Sequence, residues 1–369
     1  MAAPFKFSVQ GLKLADWAYP VGALVVFAAL TLLGFGGRFT PTPLGFAVAA
    51  VTLFVLFGTV FAAVHHAEAL AHRAGEPFGT LILTIAVIVI EVALIASLML
   101  SPDASPSLAR DTVFAVIMIV CNGLVGLCIV VGGLRYREQG FRVTGASLYI
   151  TVLGALATLT LVLPNATVAI PGPAYSVGQL AYVSIATVAL YGAFLYIQTV
   201  RHKEFFVGQE ADHAEGAAGA GIGANAVLLV VALLAVILLS KSFAAVVEAG
   251  VEAAGAPVGV AGIIVAILIL MPEGLTAVRA ARRNQLQRSI NLSLGSSLAT
   301  IGLTVPVVAV VSTVLGKELV LGLDQKDTVL LALTLLISVL TFGTGRTNIL
   351  YGFVHLVVFA TFLFLAVVP

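Results

Sequence analysis

Two carboxylates stand where ionised groups are costliest. Glu91 lies in GTLILTIAVIVIEVALIASLML, flanked on both sides by apolar residues with no lysine at helical spacing. A charged side chain at the centre of a membrane helix costs about 2.5–3.5 kcal/mol on insertion scales, and residues kept at that cost usually carry function. Glu273 lies in AILILMPEGLTAVRAARRNQ, between Pro272 and Gly274. Pro272 removes a backbone donor and frees the carbonyl near Leu268, so a helix broken there would place carbonyl oxygens beside the carboxylate. Each position has a plainer reading. Glu91 would be a protonated acid hydrogen-bonded to a neighbouring helix, and Glu273 would pair with Arg279 or Arg282.

Oxygen ligands, two carboxylates and irregular backbone suit a hard cation such as Ca²⁺. Two facing carboxylates carry two negative charges, which one Ca²⁺ or two protons cancel equally. The empty, doubly ionised site resists enclosure in a low-dielectric interior, whereas either loaded form is near neutral. If only the neutralised forms switch faces, one ion's gradient drives the other. Their proximity would make the two acids a coupled titration. Ser296 and Thr300, in LSLGSSLATIGLTVP, share one helix face, and Asn122, in MIVCNGLVGLCIVVGG, holds the comparable place in the first half of the chain. Each can give oxygen to a cation or serve helix packing, as Gly123, Gly126, Gly132, Gly133 and Gly295 are expected to do.

Other polar clusters are less specific. His65, His66, Glu68 and His72 in VHHAEALAHRAGEP lack the H-E-x-x-H spacing of a hydrolytic zinc centre. They read as a proton relay, a cation entrance or a solvated helix end. Glu68 and Glu248 are the preferred vestibule residues because they are repeat-related. Lys241, inside a span, has Glu248 two turns further along as its expected partner. Cys121 and Cys128 share a helix face and read as buried residues.

The elements that must hold these groups follow from composition. The 369 residues are 60% hydrophobic and only 9% charged, with a mean hydropathy of +1.14, against roughly 25% charged residues in soluble chains. This excludes an ordinary soluble domain, and a formal net charge of +1 gives no nucleic-acid footprint. Two cysteines make neither a disulfide framework nor a four-cysteine zinc site. Lys6 and Lys13 precede the first apolar run without a small-residue cleavage pattern, so that run is expected to remain as a helix. Apolar runs of twenty residues exclude the ten-residue alternation of a membrane barrel. The fold class expected is an all-α integral membrane protein with about eleven spans, near 18–36, 44–73, 77–100, 108–133, 144–164, 177–200, 222–250, 258–282, 289–315, 327–343 and 347–368.

A cytoplasmic N-terminus puts thirteen Lys and Arg residues on the inner side against four outside, Arg38, Arg110, Lys317 and Lys326. The stretch 201–224 is acidic, His-bearing and Gly/Ala-rich, suiting a cytoplasmic linker, and its GAGIG has no preceding strand to make a phosphate loop. Glu68, Gly75, Pro77 and Gly79 recur 180 residues later as Glu248, Gly255, Pro257 and Gly259, and Glu91 recurs as Glu273. An N-terminal helix (1–40), two five-helix repeats (41–200 and 225–369) and the linker (201–224) account for the chain. Five helices per repeat invert the second relative to the first, an architecture of alternating-access transporters that bind substrate near the midplane.

These residues resemble the cation/calcium exchanger superfamily, most closely its bacterial calcium/proton antiporter branch (ChaA-type). The stretch AEALAHRAGEPFGTLILTIAVIVIEVALI from Ala67 is similar to the first repeat of proton-coupled calcium exchangers. The stretch LMPEGLTAVRAARRNQLQRSINLSLGSSLATIGLTVP from Leu270 is similar to the second, through RNQLQRS and LGSS. The resemblance implies that Glu91 and Glu273 coordinate the cation and exchange protons, with Asn122, Ser296 and Thr300 on the helices beside them. The family's Gly-Asn before each glutamate is absent: Val87 and Ile88 stand in the first repeat, Ile269 and Leu270 in the second. Fewer polar ligands fit the ChaA-like branch, associated with Na⁺ or K⁺ as well as Ca²⁺.

The function expected is export of Ca²⁺ in exchange for H⁺ across a bacterial inner membrane, with Na⁺ or K⁺ as alternative cargo. Lipid and cations are the expected partners, and no resident cofactor or nucleic acid is expected. An intramembrane metalloenzyme built on the histidine cluster and a passive cation channel are the rivals. The first requires bound zinc, and the second requires flux without proton counterflow.

Overall fold

A computed structural model describes residues 14–101, 104–207 and 221–368. Lys6, Lys13 and the linker residues 208–220 lie outside the described residues. Among those described, eleven helices are long and apolar enough to cross a membrane. They are span 1 (Leu14–Leu32), span 2 (Pro43–Ala74), span 3 (Phe78–Met99), span 4 (Leu108–Tyr136), span 5 (Val143–Ala166) and span 6 (Val177–Arg201), followed by span 7 (Ile222–Ala253), span 8 (Gly259–Arg282), span 9 (Leu286–Leu315), span 10 (Gln325–Phe342) and span 11 (Ile349–Val367).

Span 1 differs most from expectation, ending at Leu32 rather than near residue 36. Gly34 and Gly37 adopt φ of 78° and 69°, left-handed values that turn the chain out of the helix, so the apolar run overstates its length. One element is not helical. Strands β1 (Glu138–Gly140) and β2 (Arg346–Asn348) form a short antiparallel ribbon with Gln139 opposite Thr347.

The chain divides into two compact units, one holding spans 1, 2, 3 and 7, the other spans 4 to 6 and 8 to 11. Each unit checks the crossing count, because a loop after an even-numbered span can share a membrane face only with other such loops. In the first unit, His66 near the end of span 2 meets the backbone oxygen of Asp16 and the side chain of Asn225, at the starts of spans 1 and 7. On the opposite face, Ser101 after span 3 donates to Glu248 Oε2 near the end of span 7 at 3.0 Å.

In the second unit, segments after even spans again meet one another. The β1–β2 ribbon joins the loops after spans 4 and 10. Tyr136 Oη donates to Arg282 O at 3.1 Å, and Asn291 Nδ2 donates to Phe206 O at 2.5 Å. The opposite face is tied by the segment before span 10. Val320 N–H donates to Pro106 O at 3.1 Å and Gly322 N–H to Pro173 O at 2.9 Å, while Asn165 Nδ2 donates to Leu323 O at 2.6 Å. In neither unit does one of these contacts join opposite parities.

Spans 2 and 7 are both 32 residues long, and spans 4 and 9 are 29 and 30. Spans 4 and 9 also share an irregularity that hydropathy does not reveal. Each contains a π-helical turn, Ile119–Leu124 in one and Thr300–Thr304 in the other, beginning 181 residues apart, and spans 5 and 6 hold further π turns at Thr158–Val162 and Ile197–Arg201. Inserted π turns are frequent at functional sites because they re-aim side chains without ending the helix. Asn122 lies in the first, and Thr300 opens the second.

Candidate cation site

Glu91 lies in span 3, within the first unit, and is fully buried. The turn before the span explains the Gly75–Gly79 spacing. Gly75 takes φ 67° to close span 2, and Gly79 passes so near Ala71 that a Cβ there would stand 2.5 Å from its carbonyl oxygen. Span 3 then packs on spans 2 and 7, and Ala86, Ile90, Leu94 and Ile95 are buried along with Glu91. Two turns further on, Ser97 Oγ meets Ser240 Oγ of span 7 at 2.5 Å.

Glu273 belongs to the second unit and is 7% exposed. Pro272 does not break its helix: span 8 is continuous from Gly259 to Arg282. A proline costs one donor and leaves the buried Leu268 carbonyl without its intrahelical bond, a local defect that membrane helices accommodate without unwinding. Span 8 is clamped between spans 4 and 9. Gly262 meets span 4 closely enough that a Cβ would lie 2.8 Å from Thr112 N, and Gly274 faces Leu124. Ser289 Oγ of span 9 donates to Ala277 O at 2.7 Å, one turn beyond Glu273. Below this the wall is apolar, with Leu124, Cys128, Ala277 and Ala281 in one cluster.

Span 9 supplies hydroxyls. Ser296 and Ser297 each have a buried Oγ without a hydrogen-bond partner, and Thr300 is 2% exposed. A buried hydroxyl normally finds a partner, so these oxygens suit a ligand. Ser296→Ala is therefore expected to leave the melting temperature unchanged or raise it, since no hydrogen bond is lost, while weakening cation-dependent transport several-fold in apparent affinity. Equal falls in both quantities would mark Ser296 as a packing residue.

Asn122 is engaged differently from expectation. Its Nδ2 donates to Thr334 Oγ1 at 2.8 Å, and its Oδ1 lies 3.1 Å from His355 Nδ1. The sequence reading passed over both partners, although His355 in the apolar run LYGFVHLVVF and the i, i+4, i+7 stripe Thr334, Ser338 and Thr341 were visible signals. All five of these side chains are fully buried.

The vestibule candidates differ in setting. Glu68 is exposed near the end of span 2, whereas Glu248 is half-buried. Lys241 lays its methylenes over Gly37. Among the described residues no three His, Cys, Asp or Glu side chains are grouped to hold a metal. His66 is buried with Nδ1 2.8 Å from Asn225 Oδ1 and Nε2 2.8 Å from Asp16 O, while His65 and His72 are exposed. These positions fit a structured helix end. Cys121 and Cys128 are buried and unbonded to each other.

The comparisons agree with this architecture. A family profile described as sodium/calcium exchanger protein matches two stretches, 44–200 and 224–368. The chain is 49% identical over 322 residues to a putative ionic transporter, y4hA, of Sinorhizobium fredii, covering 85% of this chain and 87% of that one. It is 40% identical over 353 residues to the sodium-potassium/proton antiporter ChaA of Escherichia coli, covering 94% of each. Its fold is similar to the crystal structure of the selenium-substituted Ca²⁺/H⁺ antiporter protein YfkE, with a TM-score of 0.69 at 18% identity, over 96% of this chain and 99% of that one.

Proposed function

The chain belongs to the sodium/calcium exchanger protein family, and from that membership we propose that it is a secondary antiporter of a bacterial inner membrane, expelling a metal cation in exchange for protons. It is a multi-pass membrane transporter rather than an enzyme. The observation that carries the proposal is the burial of Glu91 and Glu273, one in each half of the chain, in helices with no buried base beside them in sequence. A carboxylate so placed is stable when protonated or when a cation offsets its charge. Proton binding and cation binding at these two residues thus exclude one another, and that exclusion couples the two fluxes. Treating 41–200 and 225–369 as inverted repeats, joined by the linker 201–224 and preceded by the helix within 1–40, supplies the alternating access such coupling needs. The excess of Lys and Arg on even-numbered loops supports a cytoplasmic N-terminus. With that orientation Glu68 stands at the inner and Glu248 at the outer approach.

Na⁺ or K⁺ is the favoured cargo. Val87, Ile88, Ile269 and Leu270, beside the two glutamates, are buried and apolar, and the relative covering 94% of the chain is named for monovalent cations. Ca²⁺ usually takes six to eight oxygens, and the side chains in those four apolar places add none. The competing Ca²⁺ reading keeps one argument, that a single divalent ion neutralises two carboxylates. Purified protein in liposomes loaded with a pH-sensitive dye decides between them when Na⁺, K⁺ and Ca²⁺ are added separately. The expected result is proton movement with Na⁺ or K⁺, weaker with Ca²⁺. Cation flux without proton counterflow would overturn antiport.

A further inference from the structure

The buried polar side chains of spans 4, 10 and 11 form one ordered chain of hydrogen bonds. Thr341 Oγ1 lies 3.0 Å from His355 Nε2, His355 Nδ1 lies 3.1 Å from Asn122 Oδ1, and Asn122 Nδ2 donates to Thr334 Oγ1 at 2.8 Å. Thr334 Oγ1 in turn points at Met118 Sδ, 3.4 Å away. One assignment of protons satisfies these side-chain contacts, and the imidazole also meets the Cys121 backbone. The Thr341 hydroxyl donates to Nε2, the neutral imidazole donates its Nδ1–H to the Asn122 carbonyl oxygen, the Asn122 amide donates to Thr334, and the Thr334 hydroxyl donates to sulfur.

The helices permit this because spans 4 and 11 touch through glycine. Gly352 lies so close to span 4 that a Cβ would stand 2.8 Å from Gly126 O, and a Cβ on Gly126 would stand 3.0 Å from His355 Cβ. Gly126 is one turn after Asn122, and Gly352 is three residues before His355. The glycine contact therefore brings the imidazole within reach of an amide that sits in a π turn.

We infer that His355 is a positioning residue that holds the Asn122 amide in one orientation and thereby sets the affinity of the cation site. This rests on the antiport reading, in which Asn122 contributes to that site. With Nδ2 held by Thr334 and one Oδ1 lone pair held by the imidazole, the second lone pair remains fixed in direction. Without the imidazole donor the amide can rotate, and a rotated amide offers N–H where the cation needs oxygen. Groups that orient a first ligand in this way typically alter metal affinity 10- to 100-fold when removed.

The test separates the two imidazole nitrogens. Asn at position 355 can place a donor near the Nδ1 position, whereas Gln reaches toward Nε2. His355→Gln is expected to raise the half-saturating cation concentration about tenfold, a larger change than the fall in maximal rate, while His355→Asn restores most of the affinity. Melting temperature and gel filtration confirm that both variants are folded. Equal affinity in Gln, Asn and native proteins overturns the inference, as does an equal loss in both variants. An independent readout is ¹⁵N NMR of histidine-labelled protein, with the His355 signal assigned by its loss in His355→Asn. The expected state is the neutral Nδ1–H tautomer, and Asn122→Leu should move the Nδ1 resonance, the Cys121 backbone remaining as a partner of the imidazole. An Nε2–H tautomer, or no response to Asn122→Leu, overturns the positioning role. If native liposomes exchange no cation for protons, antiport fails, and the tautomer experiment still decides the His355–Asn122 contact.

Discussion

Glu91→Gln and Glu273→Gln, made singly, are each expected to reduce cation-driven proton flux to the background of protein-free liposomes. Glutamine keeps the size and hydrogen-bonding capacity of glutamate and resembles its protonated form. It cannot release a proton or offset a cation. Each variant is therefore locked into one half of the cycle while the fold keeps its packing, and melting temperature should hold or rise because an ionisable group has left an apolar interior. The measurement pairs proton flux in liposomes with thermal stability of the same preparation. Native exchange by either purified variant removes that glutamate from the mechanism. A collapse in stability with the loss of flux would make the residue structural.

Gly352→Val carries the second large effect, on assembly rather than charge. A Cβ at this position meets Val130 Cγ2 at 2.7 Å, Gly126 O at 2.8 Å and Val130 N at 2.9 Å. Two of the three obstacles are backbone, which cannot rotate aside, so spans 4 and 11 must separate. Overpacking costs about 1–3 kcal/mol in well-packed cores, and valine adds two methyls to the first clash. The expected outcome is a clear fall in melting temperature together with weaker cation affinity, because His355 moves with the displaced helix. Gly192→Val serves as the control, since a Cβ at Gly192 has nothing within 4 Å. Native stability in Gly352→Val would show that the two helices do not depend on this contact.

What could be read in advance follows from the range of the interactions. The eleven spans were legible because membrane helices are specified by local composition, and most boundaries fall within three residues of the expected ones. Glu91 and Glu273 were legible because a carboxylate in an apolar run is a local anomaly. The π turns were not, since an inserted residue changes hydrogen bonding without changing hydropathy. Asn122 could be nominated, but its amide geometry depends on Thr334 and His355, 212 and 233 residues away. Pro272 was misjudged because the penalty for proline in a helix is weighed against its neighbours, which local sequence does not contain. The ribbon of β1 and β2 was missed because each strand has only three residues.

Both native thiols lie sealed inside span 4, with Cys121 0% and Cys128 2% exposed. A water-borne maleimide therefore meets almost no background reactivity in the folded molecule. Single reporter cysteines placed in successive connecting segments could be scored from each side of a sealed vesicle without first stripping out the originals, turning sidedness into a direct chemical readout.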